Sequence, residues 1–186
     1  SPHIAKFNER IWLDGQDIDD GTLELYHQKL FSRLSVQFQE SLSYFEYTTL
    51  LAMLIFCDTC DFVVLEAGLG GEYDATNVFE KVLSIITPIG IDHQAFLGEN
   101  IGAIAPTKMN SVKTDFILAK QYDKKVYSIA RDKASEVNKT LFEAESFFDV
   151  KASAKIASFI SKQGYSVFLG DNFITAFCAL SVLGYD

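Results

Sequence analysis

Two short apolar runs constrain this chain more than anything else in it. "DFVVLE", residues 61–66, and "KVLSIIT", residues 81–87, are rich in valine and isoleucine and no longer than a strand. Uninterrupted runs of this kind are how a strand buried on both faces reads, and such strands belong to parallel sheets covered by helices. Between and around them lie segments with helical spacing. The spacing predicts helices over 22–39, over 44–57 ("YFEYTTLLAMLIFC"), over 99–113, over 152–163 and over 171–183. "DGQDID", 14–19, reads as a turn or hairpin tip. "DFILA", 115–119, "KVYSI", 125–129, and "YSVFLG", 165–170, are further strand or hairpin candidates. Strands alternating with helices give an α/β protein with a mainly parallel sheet flanked by helices.

Composition removes several function classes. Of 186 residues, 48% are hydrophobic, enough for a real core. The net charge is −9, which argues against broad binding to a nucleic-acid backbone. A small anionic ligand stays open, because a local site can oppose the global charge. No run of 18 or more uncharged apolar residues indicates a membrane span. Cys57, Cys60 and Cys178 make an odd set, a poor disulfide framework that fits a reducing cytoplasm. Cys57 and Cys60 form a C-x-x-C, but no second pair completes a zinc site. "SPHIAKFNERIW" opens the chain without an initiator methionine, and the chain is read as a fragment of something longer.

In parallel sheets, ligands bind beyond the carboxyl ends of the strands. Glu66 stands at one such end, and His93, in "IGIDH", just past another. The stretch between them, "EAGLGGEYDATN" at 66–77, carries glycines at 68, 70 and 71, then Asp74, Thr76 and Asn77. It is not a dinucleotide fingerprint. The order G-x-G-G is wrong, and too few residues follow for a crossover helix to supply an N-terminus to the pyrophosphate. One reading is structural, with glycines in tight turns capped by Asp74 and Thr76. Another joins Glu66 and His93 on a divalent ion at a nucleotide phosphate; magnesium keeps several waters, so few protein ligands suffice.

The ordered set "SPHIAKFNERI", "SYFEYTTL", "VVLEAGLGGEYDATNV", "IGIDHQAFLG", "IGAIAPTKMNSVK" and "NFITAFCALSVLG" resembles the bifunctional dihydrofolate synthase/folylpolyglutamate synthase family of the Mur ligase superfamily. The match covers 1–113 and 165–184; residues 114–164 are not placed by motif. The resemblance implies a fold like the Mur ligase central domain, of the phosphate-loop NTPase type, forming part of an N-terminal ATP- and folate-binding domain over 1–186. It also implies a ligase. A pteroate or folate carboxyl is phosphorylated by ATP, and the acyl phosphate is attacked by the amine of L-glutamate. The implied cofactors are Mg²⁺ and ATP, the implied partners those small molecules, and the implied assembly a monomer. Glu66, His93 and Lys108 match the family's metal ligands, Lys108 as a carbamate, which requires a lysine of lowered pKa. Asp74, Ala75, Thr76 and Asn77 match the loop lining the cleft. Phe45 matches an aromatic that packs on the pterin, a contact of the order of 1 kcal/mol. Ser1, Pro2 and His3 fall beside ATP or folate, and Arg10 reads as structural. Each has a plainer alternative: His93 satisfied by Asp92, Lys108 solvated, Phe45 in the core.

Three departures from the family pattern bear on activity. Glu72 stands where arginine is usual, a reversal worth about 1 kcal/mol of anion attraction at an exposed rim. Thr107-Lys108-Met109-Asn110-Ser111 replaces the usual E-K-A-G-I around the modified lysine. The phosphate loop, the first strand with its helix, and the C-terminal glutamate-binding domain are absent from this chain, so the chain by itself is expected not to catalyse the reaction. The rivals are a peptidoglycan Mur ligase and a non-catalytic descendant that binds a nucleotide, a folate or a protein.

Overall fold

A computed structural model describes residues 4–91 and 100–185. They form two compact units, Ser1–Leu69 with Asp74–Val78, and Gly70–Tyr73 with Phe79–Asp186.

The first unit is mostly helical. A 3₁₀ turn at Phe7–Arg10 leads into a hairpin of β1 (Trp12–Leu13) and β2 (Gln16–Asp17), paired Trp12 to Asp17 and Leu13 to Gln16. The two-residue loop is Asp14-Gly15, both at positive φ (45° and 93°). That is the aspartate–glycine turn whose twist matches a right-handed hairpin. Arg10 lies over the Tyr44 ring, 5.4 Å from its centroid. Helices α1 (Asp20–Phe31), α2 (Val36–Ser41) and α3 (Tyr44–Thr59) follow. The single helix expected over 22–39 is therefore two. Ser35 breaks it, since its hydroxyl accepts from the Phe38 N–H and starts a new helix. Ser43 and Glu46 form a reciprocal capping box at the start of α3. Ile11, Ile18, Leu30, Leu51 and Ile55 make the core of this unit.

Residues 61–66 are the main correction to the sequence reading. They form no strand, and Phe62 and Val64 are 63% and 94% exposed. Among the described residues neither sheet includes this run. A strand exists only where a neighbour takes up its N–H and C=O groups, whatever its side chains prefer.

The second unit holds a parallel sheet in the order β3 (Ser84–Ile86), β4 (Phe116–Leu118), β5 (Leu141–Glu143). Phe116 pairs with Ser84 on one side and Leu141 on the other. Alternation along β4 sends Phe116 and Leu118 to one face and Ile117 to the other. The first face packs on α4 (Ile101–Met109) and α5 (Lys124–Val137), through Ile104, Met109, Val126 and Ala130. The second meets α6 (Ala144–Phe147) and α8 (Val167–Val182), through Ala144, Cys178 and Ala179. Helix α7 (Val150–Lys162) stands on its predicted place.

Two strand candidates are helical. Residues 125–129 lie inside α5, where the Asp123 carboxylate caps the Lys125 N–H and Val126 and Ala130 are buried one turn apart. The helical period outweighs the β-branched composition. Residues 165–170 open α8, whose 16 residues make one apolar helix too long for a strand. Strand β5 lies in the region the motifs left unplaced.

Candidate functional site

The glycine–aspartate stretch is organised around one carboxylate. Asp74 is 9% exposed, and each of its oxygens accepts two hydrogen bonds. Oδ2 takes the backbone N–H of Gly68 (2.8 Å) and Leu69 (3.0 Å). Oδ1 takes the Thr76 N–H (3.0 Å) and its hydroxyl (2.7 Å). Burial pushes the Asp74 carboxyl upward, but donation from Thr76, Leu69 and Gly68 outweighs it and holds the group below its ordinary value. The acid therefore closes the loop. Ala75–Val78 leaves it as a 3₁₀ turn, with Thr76 buried and Ala75 and Asn77 half-exposed.

Phe45, in the first turn of α3, joins this cluster. A Cβ on Gly68 would stand 3.1 Å from Phe45 Cζ and 3.3 Å from Asp74 Oδ2. Only a residue without a side chain lets the ring and the carboxylate close on that backbone. Phe45, Gly68, Asp74 and Thr76 thus meet in the first unit. Glu66, two residues before that glycine, is exposed.

Lys108 belongs to the second unit, half-buried in the last turn of α4. Its carbonyl accepts from the Ser111 hydroxyl at 2.7 Å. The other half of the glycine stretch packs here. Gly70 and Gly71 have φ of 69° and 116°, and a Cβ on Gly71 would meet the Ser111 side chain at 3.1 Å. Glu72 Oε2 accepts from the Asn110 side-chain amide at 2.9 Å. The charge reversal at 72 is thus not an isolated acid at a rim but half of a pair.

His93 lies outside the described residues, as do Ser1, Pro2 and His3. Glu66 offers the hard oxygen that Mg²⁺ prefers, while an unmodified lysine amine does not. Among the described residues no group of three or more His, Cys, Asp or Glu side chains converges to hold a metal.

Sequence reading missed Gln121. It is 7% exposed and ties together the carboxyl ends of β3 and β4. Its Oε1 accepts from the Ile89 N–H at 2.9 Å, and its Nε2 donates to the carbonyls of Ala119 (2.8 Å) and Thr87 (3.3 Å). The Gln121 N–H donates to the Tyr127 hydroxyl at 3.0 Å, which donates to Glu145 at 2.9 Å. Burial raises the Tyr127 pKa. The available signal was a polar residue just past an apolar strand, at the rim where parallel sheets bind ligands.

Fold and site together define an α/β protein with a parallel sheet and an acid-closed glycine loop. No family model matches the chain. It is 43% identical over 106 residues to the dihydrofolate synthase/folylpolyglutamate synthase of Haemophilus influenzae, a match covering 56% of this chain and 23% of that protein. The crystal structure of Helicobacter pylori folylpolyglutamate synthetase matches 99% of this chain and 44% of its own, with 34% identity and a TM-score of 0.80. The Yersinia pestis bifunctional folylpolyglutamate synthase/dihydrofolate synthase, complexed with AMPPNP and a Mn ion, matches 77% of this chain and 34% of its own, with 28% identity and a TM-score of 0.66. In sequence and in fold the chain is similar to the dihydrofolate synthase/folylpolyglutamate synthases, and it spans less than half the length of these relatives.

Proposed function

We propose that the protein carrying this chain is an ATP-dependent ligase that joins the carboxyl of dihydropteroate or a folate to L-glutamate through an acyl phosphate. The observation that carries this reading is the agreement of nearly the whole chain with the Helicobacter pylori synthetase at 34% identity. The chain supplies part of the N-terminal ATP- and folate-binding domain. Phosphoryl transfer needs positioning and charge neutralisation more than covalent chemistry from the protein. A divalent ion, when bound, would supply that neutralisation.

The residues fall into three roles in this reading. Glu66, His93 and Lys108 are the metal-facing set, and Lys108 serves as a carbamate. Phe45 offers an aromatic face to the pterin. Within 74–77, Ala75 and Asn77 face the substrate, and Asp74 and Thr76 hold the loop that presents them; the four bonds on the Asp74 carboxylate support this division. No helix among the described residues is long and apolar enough to cross a membrane. Three free cysteines support a reducing, cytoplasmic setting, and the assembly is read as a monomer acting on small molecules.

The test uses the full-length protein with ATP, Mg²⁺, L-glutamate and dihydropteroate, following phosphate release. Dihydropteroate-dependent release that Glu66→Ala abolishes is the expected result. A folded, ATP-binding protein that releases none with dihydropteroate or a tetrahydrofolate overturns the reading and favours a non-catalytic binder.

A further inference from the structure

Two of the departures from the family pattern, at 72 and at 110, touch each other. The Asn110 side-chain amide donates to Glu72 Oε2 at 2.9 Å, and its Oδ1 accepts from Lys133 Nζ at 3.4 Å. A carboxylate on one side and an ammonium on the other leave the amide one orientation, NH₂ toward the acid and oxygen toward the lysine. The Lys133 side chain is only 11% exposed and also reaches Glu136 at 3.1 Å. Beside this relay, a Cβ on Gly71 would stand 3.1 Å from the Ser111 side chain, and the Ser111 hydroxyl donates to the carbonyl of Lys108. Two successive loop residues, Gly71 and Glu72, thus meet two successive residues at the end of α4.

We infer that Glu72 and Asn110 are a positioning pair that fixes the 70–73 loop against the helix turn bearing Lys108. Neither is a catalytic residue. Their consequence for the reaction rests on the ligase reading above: a loop shift near a reacting centre costs rate, of the order of ten- to a hundredfold for displacements near 1 Å. The pair also gives the unusual residues around Lys108 a purpose. Glycine, which the family pattern has at 110, has no amide to offer an acid at 72.

The test compares Asn110→Leu, which removes both polar arms, with Glu72→Gln, whose amide oxygen still accepts from Asn110. Amide hydrogen exchange is followed in 70–73 and 109–112 of the full-length protein, beside the kinetics of folate-dependent phosphate release. Asn110→Leu is expected to speed exchange in both segments and to lower kcat tenfold or more, with KM for ATP changed by less than about twofold. Glu72→Gln is expected to keep wild-type exchange and wild-type kcat. Unchanged exchange in Asn110→Leu, equal loosening by Glu72→Gln, or faster exchange with undiminished kcat each overturns the pair. Should the wild-type protein release no phosphate, the ligase reading fails, while the exchange data still decide whether the pair holds the loop.

Discussion

The run at 61–66 and the run through β4 are built from the same kinds of residue and meet opposite fates. Phe116, Ile117 and Leu118 are essentially inaccessible, with a hydrogen-bonded neighbour on each side and helices on both faces. Phe62, Val63 and Val64 belong to no strand and are exposed. Apolar composition states what a segment would gain by burial. It does not supply the ladder or the helices that deliver the gain. Side chains patterned for a core but left exposed are also where association begins.

The largest expected effect separates these two runs. Phe116→Ala should cost roughly 3–5 kcal/mol, since a buried ring leaves both its transfer energy and a cavity behind. Val64→Ala should stay within about 0.5 kcal/mol. Denaturant midpoints of the two variants measure the contrast. A Val64 cost comparable to that of Phe116 would break it and mean that 61–66 is covered in solution.

Next in size is Asp74→Asn. Its Nδ2 cannot accept the bonds a carboxylate oxygen takes, and a loss of about 2–3 kcal/mol follows for charged, nearly buried acceptors. The native carboxyl lies below its ordinary value, so its stabilisation is full above the unfolded pKa near 4 and fades as pH falls through the native value. The gap between wild type and Asp74→Asn should therefore be constant from neutral pH down to about 5 and close in more acid solution. Urea midpoints between pH 3 and 7 test the sign; a gap that widens in acid would contradict it.

The smallest effect is chemical. Burial holds the Cys178 thiol up, to about 11, while Cys57 is exposed. A thiol reagent at pH 8 should label Cys57 quickly and Cys178 only with denaturant. Rapid labelling of all three would mean that the sheet face under α8 opens far more readily than its packing allows.

Much of the fold was legible because its signals are local. The Asp14-Gly15 turn, the apolar strands β3 and β4 and helices α3, α4 and α7 follow from turn chemistry and periodicity over short windows. The failures have two causes. At 125–129 and 165–170 the β-branched or aromatic composition hid a helix that the longer pattern carries, while at 61–66 the composition fits a strand and no hydrogen-bonded neighbour makes one. At the site, the glycines and the acids were visible in the chain, and the resemblance attached roles to them. The structural reading of Asp74 and Thr76 as caps of the glycine turns holds, but which N–H groups the carboxylate takes, and that Gln121 joins two strand ends, could not be read from spacing, because these bonds depend on how the backbone folds back.

The sequence by itself determined the class of fold, the glycine loop with its acids, and the kinship with a ligase family, because each is written in residue order and short-range pattern. Only the tertiary structure decided which apolar run becomes a strand, which carboxylate is spent on holding a loop, and that Glu72 and Asn110 face each other across 38 residues of chain. Burial, hydrogen-bond partnership and charge pairing belong to surfaces that meet in space, and no segment carries them alone.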